Sequence, residues 1–237
     1  MKHWKLAAIA ALWSGALYAA PMPVVASFSI LGDVAQQIGG ERVGVQNLVG
    51  ANQDAHAYNL TSGDIKKIRE ARLVLLNGLG LEKAELQRAV KQSKVASAEA
   101  TAGIKPLAAD EHHHEHGHDH DHDHGEFDPH VWNDPVLMQR YAANVAIALI
   151  KADPAGSRYY QQRFKDYQHV LNQLNNYANQ QFGAVAPAKR KVLTGHDSFA
   201  YLGKRYQVKF ISPQGVSSEA EPSARQITAI IRQIKAE

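Results

Sequence analysis

The sequence predicts an α/β protein in which two lobes are joined by one long rigid helix. In the first half of the chain, short apolar runs alternate with stretches of helical periodicity, which is the pattern of a parallel sheet with helices on both faces. From 157 to 182 the chain has no Gly and no Pro, and a helix of about 27 residues there would be roughly 40 Å long. After Pro187 the alternation of strand and helix begins again.

The elements of the first half have recognisable boundaries. Strands are predicted at 24–30, 43–49, 72–78 and 94–100, and helices between them at 31–40, 61–71 and 81–92. Gly39 and Gly40 are typical of a helix end, and Thr61 or Ser62 can cap the next helix. Asp134 with Pro135 then opens an apolar helix that ends near Lys151.

The long helix and the second half follow the same reasoning. The apolar residues of the helix recur three and four positions apart and form one stripe: Tyr160, Phe164, Tyr167, Leu171, Leu174 and Ala178. Beyond it, strands are predicted at 191–195 and 208–212, with a helix at 199–206 between them and another from about Ser223.

These elements divide the chain into an N-terminal lobe at 21–152, a linking helix at 153–183 and a C-terminal lobe at 184–237. About 50 residues are too few for an α/β lobe that is stable alone. We therefore expect the C-terminal lobe to be incomplete.

Residues 1–20 have the layout of a secretory signal peptide. Lys2 and Lys5 give a basic start, an apolar run follows, and small residues lead to a cleavage site near Ala19 or Ala20. The run is shorter than the roughly 20 residues of a membrane span. The sequence contains no Cys, which excludes a lipid-modified cysteine, disulfides and thiolate metal ligands. We expect a periplasmic protein that is not lipid-anchored.

The charge of the chain points to no polyanionic partner. The sequence holds 26 Lys and Arg against 23 Asp and Glu, and removing Lys2 and Lys5 with the signal peptide leaves 24 against 23. A nearly neutral protein lacks the excess of positive charge that binds nucleic acid or an anionic membrane surface. We therefore expect neither as a partner.

The most unusual stretch is the histidine-rich tract, defined here as residues 110–126. Its histidines are His112, His113, His114, His116, His118, His120, His122 and His124. With no apolar side chain, it is predicted to be a disordered loop. Imidazole and carboxylate are ligands of zinc and its neighbours, so the tract indicates an accessory metal-collecting loop. A specific site needs ligands that rigid elements hold, and those must lie elsewhere.

Three other histidines occupy similar places. His56 follows the second predicted strand, His130 precedes a helix, and His196 directly follows a strand of the second lobe. Ligands of open parallel sheets bind outside the carboxyl ends of the strands, where such loops gather. A single loop histidine is most often an ordinary surface residue, but three in equivalent positions predict a metal site in the cleft between the lobes.

Other possible sites are weaker. His169 lies inside the long helix on its polar side and is predicted to be solvated. His196, Asp197 and Ser198 include the residue types of a catalytic triad, but adjacent residues project in different directions. The glycines at 78 and 80 lack the third glycine of a dinucleotide fingerprint, and no HExxH motif of zinc hydrolases occurs.

Four segments resemble the signature segments of the metal-specific solute-binding proteins of bacterial ABC importers. They read QDAHAYNLTSGD (53–64), DPHVWNDP (128–135), TGHDSFAYLGKRYQ (194–207) and SSEAEPSA (217–224). The acidic histidine-rich loop between the first two ligand positions is similar to that of the zinc-binding branch. The matching segments run from about Val24 to the end of the chain.

The resemblance implies two lobes bridged by a long rigid helix, with one divalent ion in the cleft and no catalytic turnover. The ligands carried over are His56 and His130 from the first lobe and His196 from the second. Manganese-specific members usually have a carboxylate at the third position, so a third imidazole favours zinc. Members also carry a carboxylate some tens of residues beyond Glu237, so we expect a truncated chain whose fourth ligand is water or a residue not assigned.

The function expected from this resemblance is capture of Zn²⁺ outside the cytoplasm by a monomer, which delivers the ion to an ABC permease for import. A manganese or mixed receptor of the same kind is the first alternative. A periplasmic metal buffer, in which the tract does the binding, is another. A zinc hydrolase could use the same three histidines with an open water position, but the sequence offers no general base beside them.

Overall fold

A computed structural model describes residues 20–109 and 126–214, together with 216, 218, 223, 224, 227, 228 and 230–232. The predicted signal peptide before Ala20 and the histidine-rich tract before Glu126 lie outside the described residues. Within the described part of the chain, no helix combines the length and the apolar character that crossing a membrane requires.

A four-stranded parallel sheet forms the centre of the first lobe. Its strands are β1 (Met22–Phe28), β2 (Val43–Val49), β3 (Leu73–Leu76) and β4 (Ala96–Glu99), in the order β2-β1-β3-β4. Every neighbouring pair is parallel, and Val24 of β1 lies between Val45 of β2 and Leu73 of β3. The predicted parallel sheet is confirmed.

Helices cover both faces of this sheet, as the alternating pattern predicts. They are α1 (Ser29–Gly39), α2 (Ser62–Glu70), α3 (Ala84–Ser93) and α4 (Pro135–Ala152). Successive side chains of a strand point to opposite faces. Val24 and Ala26 accordingly pack with α1 and α4, whereas Val25 packs with Ile68 of α2 and Leu86 of α3.

The long helix α5 (Ser157–Ala184) has 28 residues, which corresponds to about 42 Å. Its first turns are fixed to the first lobe, because Tyr160 donates a hydrogen bond to Asp153 Oδ2 at 2.7 Å. Arg42 donates to the same carboxylate oxygen, also at 2.7 Å. The helix therefore leaves the first lobe in a fixed direction.

One residue of the predicted stripe is exposed. Tyr160, Leu171 and Ala178 are buried, but Leu174 is 48% exposed. Leu171 belongs to the core of the first lobe and Ala178 to a small cluster of the second, so Leu174 lies on the span of helix between the two. Periodicity alone could not show this gap, because the gap depends on where each lobe ends.

The described part of the second lobe is smaller. It contains β5 (Lys191–Leu193), α6 (Ala200–Tyr206) and β6 (Lys209–Ile211), with the two strands paired in parallel. Tyr206 and Val208 pack on Ala178 of α5. Residues 224, 227, 228 and 230–232 are helical, in agreement with the helix predicted from about Ser223.

Some predicted boundaries move by a few residues. Ser29 and Ile30 belong to α1 rather than to the first strand. The third helix begins at Ala84 rather than at 81, because the turn before it holds three consecutive residues with positive φ at 78–80. The domain boundaries at 152 and 183 remain predictions.

Candidate metal centre

The candidate metal centre lies at the carboxyl edge of the first sheet. The chain passes from β1 to β2 on one side and then to β3 on the other, which creates a switch point between β1 and β3. Asn77 directly follows β3, and its side-chain amide donates to the Pro129 carbonyl at 3.1 Å. Tyr141 of α4 donates to the same side chain at 3.0 Å. The loop before His130 is thereby tied to this edge.

His56 lies half-buried in the loop that follows β2. Its backbone N–H donates to Asp54 Oδ1 at 2.9 Å, while the other oxygen of Asp54 accepts from the hydroxyl of Ser218. The loop ends at Thr61, which caps α2 in a reciprocal pair of hydrogen bonds with Asp64. Both ends of the loop are therefore held by the fold.

His130 is the most enclosed of the three histidines, with an exposure of 2%. Asp128 Oδ1 accepts both from the backbone N–H of His130, at 2.8 Å, and from its ring nitrogen Nδ1, at 2.7 Å. A proton on Nδ1 leaves a lone pair on Nε2, which is the form in which imidazole binds a metal. Asp128 therefore fixes both the orientation and the tautomer of this side chain.

His196 comes from the second lobe, directly after β5, and is half-buried. Its backbone pairs with Gln214 beyond the end of β6. Burial lowers the pKa of His196, and the neighbouring His130 lowers it further, against the opposing effect of Asp54 and Asp128. The shift favours the neutral imidazole, which is the state that can bind a metal.

The three imidazoles converge on one point. One nitrogen from each of His56, His130 and His196 lies within 4.8 Å of the others, and the Nε2 atoms of His56 and His130 are 3.1 Å apart. Two nitrogens bound to a tetrahedral zinc ion at 2.0 to 2.1 Å lie about 3.3 Å apart. The cluster could therefore hold a metal ion. His169, as predicted, is exposed on α5, and it does not belong to this cluster.

The sequence prediction missed the contacts that hold the second lobe against this site. Tyr201 of α6 donates to the Asp128 carbonyl at 2.7 Å. The Nε–H of Arg205 donates to both carboxylate oxygens of Asp134, at 3.0 and 2.9 Å. Asn133 also donates to the Ser198 carbonyl at 2.7 Å. Positions 201 and 205 share one face of a helix, and that spacing is the signal that could have identified them.

Comparison with known proteins identifies the family. A family model described as zinc-uptake complex component A, periplasmic (ZnuA) matches residues 24–237. The chain belongs to the ZnuA family. Members of the ZnuA family are substrate-binding components of metal ABC transporters, which is a class of transport proteins rather than of enzymes.

Named relatives of this ZnuA family member differ in the metal that they bind. The manganese-binding lipoprotein MntA of Bacillus subtilis strain 168 is 31% identical over 224 residues, which are 91% of this chain and 69% of MntA. The zinc-binding protein TroA of Treponema pallidum strain Nichols is 31% identical over 215 residues, which are 90% of this chain and 67% of TroA. The family therefore establishes a metal cargo without deciding which one.

A solved structure supports the fold. The periplasmic zinc-binding protein TroA of Treponema pallidum superposes with a TM-score of 0.81 at 27% identity, covering 90% of this chain and 74% of that structure. The two-lobe α/β fold with a long helix, as predicted for this ZnuA family member, is thereby confirmed.

Proposed function

We propose that the protein captures Zn²⁺ outside the cytoplasm and delivers it to an ABC permease, with His56, His130 and His196 as the protein ligands. The observation that carries the proposal is the convergence of three imidazoles from two lobes within 4.8 Å. Loss or entry of the ion then requires only that the second lobe move away from the first. Membership of a family of substrate-binding transport components supports the delivery step.

The donor set favours zinc over manganese. The cluster consists of three imidazoles, and one oxygen of each neighbouring carboxylate holds a histidine: Asp54 Oδ1 accepts from the His56 backbone, and Asp128 Oδ1 accepts from the His130 backbone and ring. Imidazole suits zinc, whereas carboxylate and water oxygens suit manganese. Water or a further oxygen ligand would complete the tetrahedron around zinc.

The same geometry argues against the alternatives. A manganese receptor, as MntA is named, would be expected to offer oxygen ligands in the cluster. A hydrolase would need a general base beside the metal, and the Asp128 carboxylate is instead turned to Nδ1 of His130. A metal buffer would rely on the histidine-rich tract and would not need three imidazoles that converge on one point.

The tract is proposed to be an accessory collector beside the cluster. On either side of it, Ala108 and Phe127 form an antiparallel bridge, and the Asp128 N–H donates to the Leu107 carbonyl at 2.9 Å. The described residues that flank the tract, 107–109 and 126–128, therefore lie beside each other, next to the loop that carries His130. Export through residues 1–20 and a monomeric protein without a lipid anchor complete the proposal.

The deciding experiment is calorimetry with zinc on four purified proteins. The wild type is expected to bind one ion tightly and several weakly. Substitution of both His56→Ala and His130→Ala should abolish the tight site, whereas His169→Ala, on the exposed side of α5, should leave it unchanged. Deletion of 111–126 should remove the weak sites only.

Two outcomes would contradict the proposal. A tight site that survives the double substitution would place the ion elsewhere, and loss of all binding on deletion of 111–126 would make the protein a buffer. Competition between Zn²⁺ and Mn²⁺ on the wild type then tests the choice of metal, and preferential binding of manganese would favour the manganese receptor.

A further inference from the structure

Tyr201 of α6 is a residue of the second lobe whose side chain is buried in the first. It is 3% exposed and belongs to the same hydrophobic cluster as Phe28 and Val131. Tyr206, on the same helix, belongs instead to the small cluster around Ala178 of α5. The ring of Tyr201 therefore carries one hydroxyl group into the first lobe, where that group needs hydrogen-bond partners.

The hydroxyl of Tyr201 has two partners, one on each side of the histidine-rich tract. It accepts from the Leu107 N–H at 3.0 Å and donates to the Asp128 carbonyl at 2.7 Å. Leu107 and Asp128 are themselves joined, because the Asp128 N–H donates to the Leu107 carbonyl at 2.9 Å. The hydroxyl thus completes a closed set of three hydrogen bonds whose other groups all come from the first lobe.

The peptide bond after Asp128 has one polar group by which it can be held. It leads into Pro129, which has no N–H, so that only the Asp128 carbonyl remains, and this carbonyl accepts from Tyr201. The side chain of the same residue holds His130 at its backbone and its ring. The second lobe therefore holds the backbone of the residue that orients a ligand of the first lobe.

We propose that Tyr201 is a positioning residue of the metal centre, whose hydroxyl couples docking of the second lobe to the orientation of His130 through Asp128. Withdrawal of α6 from the first lobe would carry His196 away and would also free the peptide bond that holds the His130 ring in place. Two ligands would loosen together. This role of Tyr201 rests on the proposed function, in which both histidines bind one ion.

The hydroxyl stabilises the docked arrangement because its partners are shielded from water there. Asp128 is 1% exposed, so without the hydroxyl its carbonyl would be buried with the loss of a donor, and the Leu107 N–H would lose its acceptor. Once the second lobe withdraws, water can satisfy both groups. Loss of the hydroxyl should therefore favour the withdrawn arrangement and weaken an ion that requires the docked one.

The test compares Tyr201→Phe with Tyr206→Phe, because each removes one hydroxyl from a buried tyrosine of α6. Tyr206 is 4% exposed and its hydroxyl donates to Asn175 of α5 at 3.0 Å, away from the residues that hold His130. Competition with a chromogenic chelator measures zinc affinity at one equivalent of zinc, and stopped flow with excess chelator measures dissociation of the ion. Thermal unfolding of the metal-free variants measures stability.

Tyr201→Phe is expected to lower zinc affinity roughly 10-fold, or about 1.4 kcal/mol, mainly through faster dissociation. Tyr206→Phe should change zinc affinity by less than about twofold, although it loses a comparable hydrogen bond and a comparable share of thermal stability. Equal zinc affinities in the two variants would overturn the proposal, because loss of stability alone would then explain any effect of Tyr201→Phe.

A double-mutant cycle tests the route through Asp128. In the Asp128→Asn background the charge that holds the His130 ring is already absent, so Tyr201→Phe should lower zinc affinity by less than about twofold. A loss of roughly 10-fold in that background would mean that the hydroxyl only docks the lobe, and the role in orienting His130 would be wrong.

Hydrogen exchange of the wild-type chain gives a second measurement, which decides the matter if Tyr201→Phe does not fold. The acceptor of the Leu107 N–H comes from the second lobe, so bound zinc should slow exchange of this amide by at least about tenfold. An amide of Leu107 that exchanges equally fast with and without zinc would show that its bond to Tyr201 is not linked to the metal.

His130→Ala distinguishes an error about Tyr201 from an error about the metal centre. Loss of tight zinc binding in His130→Ala, together with wild-type affinity and dissociation in Tyr201→Phe, would overturn the role of Tyr201 alone. Tight binding that survives His130→Ala would instead overturn the proposed function on which that role rests.

Discussion

The two lobes present their histidines in different ways. His130 of the first lobe is 2% exposed and is held at its backbone and its ring by one buried carboxylate, Asp128. His196 of the second lobe is half-buried and follows a strand in which Val192 and Leu193 are 42% and 54% exposed. The first lobe thus offers a preorganised ligand, whereas the second offers one that can adjust its position.

This difference suggests that the two lobes have separate roles in binding a transported ion, one in affinity and the other in release. A ligand that is fixed before the ion arrives lowers the cost of ordering, which favours affinity. A ligand on a less deeply packed element can withdraw, which favours release. The contacts of Tyr201 and Arg205 with the first lobe set the position from which that withdrawal starts.

The largest effect on zinc affinity is expected when each histidine ligand is removed in turn, and this tests the difference between the lobes. His130→Ala should lower zinc affinity by more than the 10- to 100-fold that loss of a supporting group causes, because the fixed ligand itself is removed. His196→Ala should lower it by a smaller factor, because water can enter a half-buried position. Competition with a chromogenic chelator measures both affinities. Equal losses would show that the lobes contribute alike.

An intermediate effect on zinc affinity is expected when the carboxylate of Asp128, which holds His130, is changed. Asp128→Asn keeps the shape of the side chain but removes the charge that holds the proton on Nδ1 of His130, so zinc affinity should fall by roughly 10- to 100-fold. Asp166→Asn, an exposed position on α5, is the matched control. An unchanged affinity in Asp128→Asn would mean that burial alone orients the ring. Chelator competition is again the measurement.

Much of this arrangement could be predicted from the sequence because it depends on local patterns. Continuous apolar runs indicated buried parallel strands, and loops at the carboxyl ends of such strands indicated where His56, His130 and His196 would meet. The turn at 78–80 was read correctly as a strand-to-helix connection rather than as a nucleotide loop. Each of these inferences uses neighbours along the chain.

Contacts between distant segments could not be predicted in the same way. Asp128 lies two residues before His130 and Asp197 directly follows His196, so the sequence alone does not show which carboxylate orients a histidine; the folded loop shows that Asp128 contacts the His130 ring. The ion pair of Arg205 with Asp134 joins positions far apart in the chain. The pocket lined by Phe28, Val49 and Leu81 could not be predicted either, because it lies between β1, β2, the His56 loop and the start of α3.

The smallest effect is expected from Asp64, which holds the end of the His56 loop on the first lobe. Burial would raise the pKa of Asp64, but hydrogen bonds from Thr61, Tyr58 and Lys67 outweigh it and lower the pKa to about 2. Because this value is below that of an unfolded aspartate, the carboxylate stabilises the fold above about pH 4, and the contribution is lost as the pH falls towards 2.

Asp64→Asn should therefore cost about 2 kcal/mol of unfolding free energy at pH 7, and the difference from wild type should shrink steadily on acidification. Urea unfolding of the metal-free proteins between pH 7 and pH 3 measures this difference. Asp33→Asn, on the exposed surface of α1, should show no such trend. A difference that does not change with pH would mean that Asp64 acts through packing rather than through its charge, and that the anchoring of the His56 loop is not electrostatic.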